Sequence, residues 1–169
     1  MPSIKKKFEN SLIQCITEHK ESIYRLAYSY VRNKEDALDI VQDSIHKAFA
    51  NAESLKNPDA IKSWFYRIVV NTSLDFLRKQ KRVQVVDEET LEAYSQGTSD
   101  SYHDIDLERA LEELPVKYRS VVVLRYFEDL KIEEVSEVLN ENINTVKTRL
   151  YQALRVLRVK LNDKSTMEV

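Results

Sequence analysis

At 169 residues, 43% hydrophobic and 32% charged, the chain has room for one domain or two small ones with modest cores. A single Gly (Gly97) and three Pro (Pro2, Pro58, Pro115) leave few breakers and favour long helices over sheets. One Cys and three scattered His exclude an internal disulfide and offer no metal-ligand cluster, so no cofactor or metal is expected.

The net charge of -2 conceals an uneven distribution. Residues 1–82 carry fifteen basic and ten acidic side chains; residues 83–114 carry Arg109 against ten acids; residues 115–169 carry ten basic and eight acidic. Two basic-leaning segments therefore flank a polyanionic one. No apolar run approaches the roughly 20 residues that span a bilayer. MPSIKKKFENS lacks the apolar stretch of a secretion signal, so a cytoplasmic protein is expected.

In chain order, a first helix is expected from Phe8 to Val31, with Phe8, Leu12, Cys15, Ile16, Ile23, Leu26, Ala27 and Tyr30 on one face. Cys15 reads there as a small core residue. Arg32-Asn33 closes the helix, and Asn33 can cap the next one, with Glu35 and Asp36 near its positive end. That second helix buries Ala37, Ile40, Val41, Ser44, Ile45, Ala48 and Phe49, and turns Leu38, Asp39, Gln42, Asp43 and His46 outward. Leu38 among polar groups is either an incidental exposed residue or part of a docking surface.

Asn57-Pro58 is a good helix start. The third helix, Pro58 to Lys81, packs through Ile61, Phe65, Ile68, Val69, Thr72 and Phe76. Trp64, Tyr66, Arg67 and Asn71 accompany that stripe, and the helix ends in Arg78-Lys79-Gln80-Lys81-Arg82. Rings and amides leading into a cationic run suit unpaired nucleic acid, where bases stack and cations follow phosphates. Equally, Trp64 can be core and the basic run a solvated helix end.

Residues 83–103 read as an acidic linker, with a short helix at about Asp87–Tyr94. Periodicity returns at Ile105, Leu107, Ala110, Leu111 and Leu114, and Pro115 opens a helix with Val122, Val123, Tyr126 and Phe127 apolar and Lys117, Arg119 and Arg125 alongside. Leu130 to Leu161 then forms two helices about a tight turn. The first carries Ile132, Val135, Val138 and Leu139 and stops at Asn140, a residue that tolerates the left-handed conformation; Asn142 or Asn144 caps the second. The second buries Val146, Leu150, Ala153, Leu154, Leu157 and Leu161 and presents Lys147, Thr148, Tyr151, Gln152 and Arg155. From Asn142 to Leu161 there are basic residues and no acidic one. This pattern fits a helix-turn-helix that reads the major groove, or a plain helical hairpin with solvated cations. No catalytic constellation is present: Glu133 and Glu134 are adjacent, so they diverge on a helix, with no nucleophile beside them. An enzyme is not expected.

Three stretches together, EDALDIVQDSIHKAF, IKSWFYRIVVNTSLDFLRKQKR and LPVKYRSVVVLRYFEDLKIEEVSEVLNENINTVKTRLYQALRVLR, resemble bacterial sigma factors of the extracytoplasmic-function (ECF) class of the sigma-70 family, with the SigV type the nearest subfamily. Asn140 and Asn144 stand where that family often has Gly. The resemblance implies an all-α protein of two small helical domains joined by a flexible acidic linker, the C-terminal one containing the helix-turn-helix. Its divisions would be residues 1–82 for region 2, 83–103 for the linker and 104–169 for region 4. It implies binding to core RNA polymerase through Asp39, Gln42, Asp43 and His46. Lys62, Trp64, Arg67, Asn71, Arg78, Lys79 and Arg82 would serve the -10 element and its melted strand. On the -35 element, Lys147, Thr148, Tyr151 and Gln152 suit base edges, while Arg125, Lys131, Thr145, Arg149 and Arg155 suit phosphates. An anti-sigma partner, often membrane-anchored, and an envelope-stress regulon are also implied. The competing expectation is a free-standing helix-turn-helix repressor or activator.

Overall fold

The computed structural model describes residues 3–80 and 107–167, with side chains to 162. The expected linker, the short helix at Asp87–Tyr94, Ile105 and Arg82 lie outside the described residues. Those described form helices and connecting turns, with no strand among them, as expected of an all-α chain.

The N-terminal half contains α1 (Ile4–Glu18), α2 (Lys20–Val31), α3 (Lys34–Ala50), two 3-10 turns (Ala52–Ser54 and Pro58–Ala60) and α4 (Ile61–Gln80). The expected single helix from Phe8 to Val31 is thus two helices divided at His19, whose ring lies edge-on to Tyr66 at 6.4 Å. Arg32 closes α2 in the left-handed conformation (φ 55°), and the Asn33 side chain accepts from the Asp36 amide at 3.0 Å. Asn57 accepts from the Asp59 amide at 3.1 Å, so the Asn-Pro start holds, although it opens a 3-10 turn before α4. Leu12, Ile23, Leu26, Ala37, Ile40, Phe65 and Val69 interlock in the core of this half. Each large side chain among them contributes about 1.5–3 kcal/mol by leaving water. Phe49, expected inside, is 37% exposed.

The C-terminal half contains α5 (Leu107–Glu113), α6 (Val116–Val122), a π-helical turn (Val123–Phe127), α7 (Ile132–Leu139) and α8 (Ile143–Met167). Ala110, Leu111, Leu114, Tyr118, Val122, Ala153, Val156 and Leu157 form a small core of its own. A second apolar surface, including Val121, Leu124, Leu130, Val135 and Val138, packs on the N-terminal half. The two halves meet mainly where α2 faces α6 and where α4 faces α7. Tyr66 is buried at that junction, whereas the sequence placed it on the outward face of its helix. Tyr126, expected to be apolar core, is 54% exposed.

Candidate nucleic-acid and polymerase interfaces

The helix-turn-helix is set by local backbone chemistry. Asn140 ends α7 with φ 54° and ψ 47°, and its amide reaches the Glu137 carbonyl. The Glu141 amide bonds the Ser136 carbonyl at 3.0 Å, and the Ser136 hydroxyl donates to the Glu141 carbonyl. Asn142, one of the two alternatives, caps α8: its side chain accepts from the Asn144 amide at 2.8 Å. At the other end of α7, the Lys131 amide donates to the Glu134 carboxylate at 2.9 Å. With both ends of α7 fixed, α8 has a defined entry angle.

Lys147, Thr148, Tyr151 and Arg155 lie exposed along one face of α8, and Tyr151 is 72% exposed. The opposite side seats Val146, Ala153, Val156 and Leu157; Val156 is a core residue the apolar stripe had omitted. Gln152 departs from its face: it is half-buried, and its Oε1 is buried without a hydrogen-bond partner. An amide left so is costly in a closed interior and is free to be satisfied by a ligand. Thr145 and Arg149 are half-buried, and Arg149 pairs with Glu141 at 3.3 Å. Arg125 lies over the Tyr126 ring, 5.5 Å from its centroid, and donates to the Leu130 carbonyl at 3.4 Å, while Lys131 is exposed.

On α3, Leu38, Asp39, Gln42, Asp43 and His46 are all exposed and share the side opposite the buried Ala37, Ile40, Ser44 and Ala48. Lys47 pairs with Asp43 at 3.4 Å, an exposed contact worth at most a few tenths of a kcal/mol.

The α4 residues do not form one surface. Arg67, Asn71, Arg78 and Lys79 are exposed, with Arg78 paired to Asp75 at 3.2 Å. Trp64 is half-buried; its indole N–H donates to the Ser54 hydroxyl at 2.8 Å and Phe8 meets it edge-on at 5.6 Å. It therefore braces the 3-10 turn before α4. Lys62 points the other way, donating to the Glu128 carbonyl at 3.1 Å and lying 5.7 Å from the Tyr66 ring centroid.

Glu128 was not singled out by the sequence. The π turn and the left-handed Asp129 (φ 56°) rotate its carboxylate under the N-terminal half. There it accepts from the Tyr66 hydroxyl at 3.2 Å and faces Arg25 at 3.7 Å. Burial pushes its carboxyl above the ordinary value, against the pull of Ser22, Arg25, Tyr66 and Lys62. Arg119 is likewise buried: its Nε donates to the Ser29 carbonyl, and Nη1 donates to the carbonyls of Glu112 and Leu114. Beside it, burial drives the Tyr30 hydroxyl up to about 12 despite the opposing hydrogen bond with Ser120. Among the described residues there is no group of three or more His, Cys, Asp or Glu placed to hold a metal, and no helix long and apolar enough to cross a membrane.

Residues 15–83 match the family description Sigma-70 region 2, and residues 104–157 match Sigma-70, region 4. The chain is 57% identical over 150 residues to the RNA polymerase sigma factor SigV of Bacillus subtilis, covering 89% of this chain and 90% of that one. It is 33% identical over 175 residues to the ECF RNA polymerase sigma factor SigW of the same organism, covering 95% and 94%. In fold it is similar to the sigma factor RpoE of Bartonella quintana, solved in complex with the anti-sigma factor NepR (TM-score 0.70, 22% identity, 93% of this chain and 98% of that one). It is also similar to CnrH, solved in complex with the cytosolic domain of CnrY (TM-score 0.65, 22% identity, 92% and 90%). Nearly the whole chain is thus accounted for by two matched regions in the order expected of one protein type, and it belongs to the ECF sigma factors of the sigma-70 family.

Proposed function

We propose that this chain binds core RNA polymerase and carries it to promoters, with the helices divided among three tasks. The exposed Asp39–Gln42–Asp43–His46 face of α3 docks polymerase. Arg67, Asn71, Arg78 and Lys79 of α4, with Arg82, follow the -10 strand; Trp64 supports them, and Lys62 joins them once released from Glu128. Lys147, Thr148, Tyr151 and Gln152 of α8 read base edges at -35, and Arg125, Lys131, Thr145, Arg149 and Arg155 hold phosphates. The observation that carries this reading is the α8 face: exposed cations, a hydroxyl and a phenol on one side of a helix whose entry is fixed by Asn140 and Asn142. Lys can donate to guanine, and the Thr methyl can meet a thymine methyl.

In this reading the protein works by binding alone, in the cytoplasm, and catalyses nothing itself. Residues 1–82 and 104–169 act as separate modules joined through 83–103. An anti-sigma factor, possibly membrane-anchored in some cases, controls it, and its promoters serve envelope stress. Co-purification from purified components tests the reading: the tagged chain is expected to retain core polymerase at equimolar ratio without DNA. A chain that binds duplex DNA tightly by itself and leaves polymerase in the flow-through would be a free-standing regulator instead.

A further inference from the structure

The contact between the two halves is polar as well as apolar, and every polar part of it is partnered across the junction. Tyr66 donates to Glu128, Lys62 donates to the Glu128 carbonyl, and Arg25 faces the Glu128 carboxylate and donates to the Phe127 carbonyl at 3.5 Å. Further along α4, the Ser63 hydroxyl donates to the Glu134 carboxylate at 3.3 Å. At the α2–α6 end, Arg119 reaches the Ser29 carbonyl. Partners this specific fix one docked arrangement, whereas a greasy contact would slide. Yet the interface asks a carboxylate to leave water, and opening would rehydrate it. Such an interface is suited to reversal, as polar interdomain contacts commonly are.

This arrangement conflicts with simultaneous promoter contact. Elements named -10 and -35 are centred about 25 base pairs apart, roughly 85 Å of duplex at 3.4 Å per pair. A compact chain of this length is about 40 Å across. Helices packed as α4 and α7 are have axes about 8–10 Å apart, so α8, next to α7, lies far too close to α4 to reach the second element. Moreover Lys62 and Ser63, on the helix assigned to the melted strand, are covered by α7 and by the segment that carries Glu128.

We infer that the packed form is an intrinsic closed state of the free chain, held by a latch in which Glu128 joins Tyr66, Lys62 and Arg25 and Glu134 joins Ser63, and that this latch must open before both promoter elements are engaged. The inference rests on the assignment of α4 and α8 to the two elements. It adds that closure belongs to the chain alone and needs no partner protein to impose it. Binding then takes place from the open fraction, so the apparent dissociation constant exceeds the intrinsic one by the reciprocal of that fraction.

The test uses the full-length free protein. Lysine acetylation by an N-hydroxysuccinimide ester, read by mass spectrometry, should label Lys62 at least about tenfold more slowly than exposed Lys131, a ratio equal to about 1.4 kcal/mol of closure. Ser63→Trp, a wedge beneath α7, should abolish that protection, raise the radius of gyration and tighten core-polymerase binding by the same factor. Tyr66→Phe removes one hydroxyl and should act in the same direction to a smaller extent; it serves if circular dichroism shows the wedge variant unfolded. Equal labelling of Lys62 and Lys131 in the wild-type chain would overturn the closed state. Loss of protection in either variant with unchanged polymerase affinity would overturn its inhibitory role. If no form bound polymerase while Lys62 stayed protected, the functional assignment would fail and the closed state would stand.

Discussion

Asn140 carries the turn between α7 and α8, and its replacement separates backbone strain from side-chain contact. Its φ of 54° and ψ of 47° lie in the left-handed region, where most L-residues cost about 1–2 kcal/mol and glycine costs nothing extra. Its side chain is exposed, so little packing is lost on substitution. Asn140→Val should therefore destabilise the chain by about 1–2 kcal/mol, since a β-branched residue is the worst choice for this conformation. In a chain of this length that is a fall in melting temperature of roughly 2–8 °C. Asn140→Gly should stay within about 0.5 kcal/mol of wild type, the relief of strain being offset by greater freedom in the unfolded chain. Thermal melts followed by circular dichroism, with urea titrations as a check, measure both. Equal melting of the Val and Gly variants would refute the argument from backbone strain.

Other predictions test separate surfaces. Gln42→Ala combined with Asp43→Lys should weaken core-polymerase binding about tenfold or more while leaving the melting temperature within a degree or two, measured by fluorescence anisotropy and a melt, since both residues are exposed. Gln152→Ala should cost about 1–3 kcal/mol on the correct -35 duplex and relax preference at one base pair, whereas Arg149→Ala should weaken all duplexes alike and lower the salt slope by about one unit; a panel of single-base variants at two salt concentrations distinguishes them. Glu128→Gln should change how stability depends on pH. A carboxyl with a raised folded value contributes stability below its unfolded pKa and loses it as pH rises through the folded one, so urea titrations from pH 4 to 8 should show the Gln variant gaining on wild type as pH rises.

What could be read in the sequence was what local chemistry determines. Asn33, Asn57, Asn140 and Asn142 act on amides within three residues of themselves or on their own backbone angles, so their roles follow from short-range sequence. The buried stripes of α2, α3 and α7 follow from helical period. The division at His19 was not visible, because the first helix carries neither Pro nor Gly there and the ring's partner, Tyr66, is far along the chain. Tyr66, Arg119 and Glu128 were missed for one reason: each is a polar residue buried by the opposite half of the molecule. Helical period reports one buried face, whereas α4 has two. A signal did exist for Glu128, which sits in an apolar neighbourhood just before Leu130, but nothing local told that a π turn would roll it inward. The face of α8 was placed correctly for Lys147, Thr148, Tyr151 and Arg155, and less well for Gln152, whose amide turns partly into the helix–helix contact.

The central claim is that this chain confers promoter specificity on a polymerase that lacks it. The most direct measurement is run-off transcription with purified core polymerase on a pool of genomic fragments, with and without the full-length protein, the transcripts sequenced at their 5′ ends. Discrete starts preceded by a shared pair of elements, absent without the protein and lost when Lys147 and Tyr151 are both changed to Ala, are the predicted result. Starts that are unchanged or merely suppressed by its addition would contradict the account.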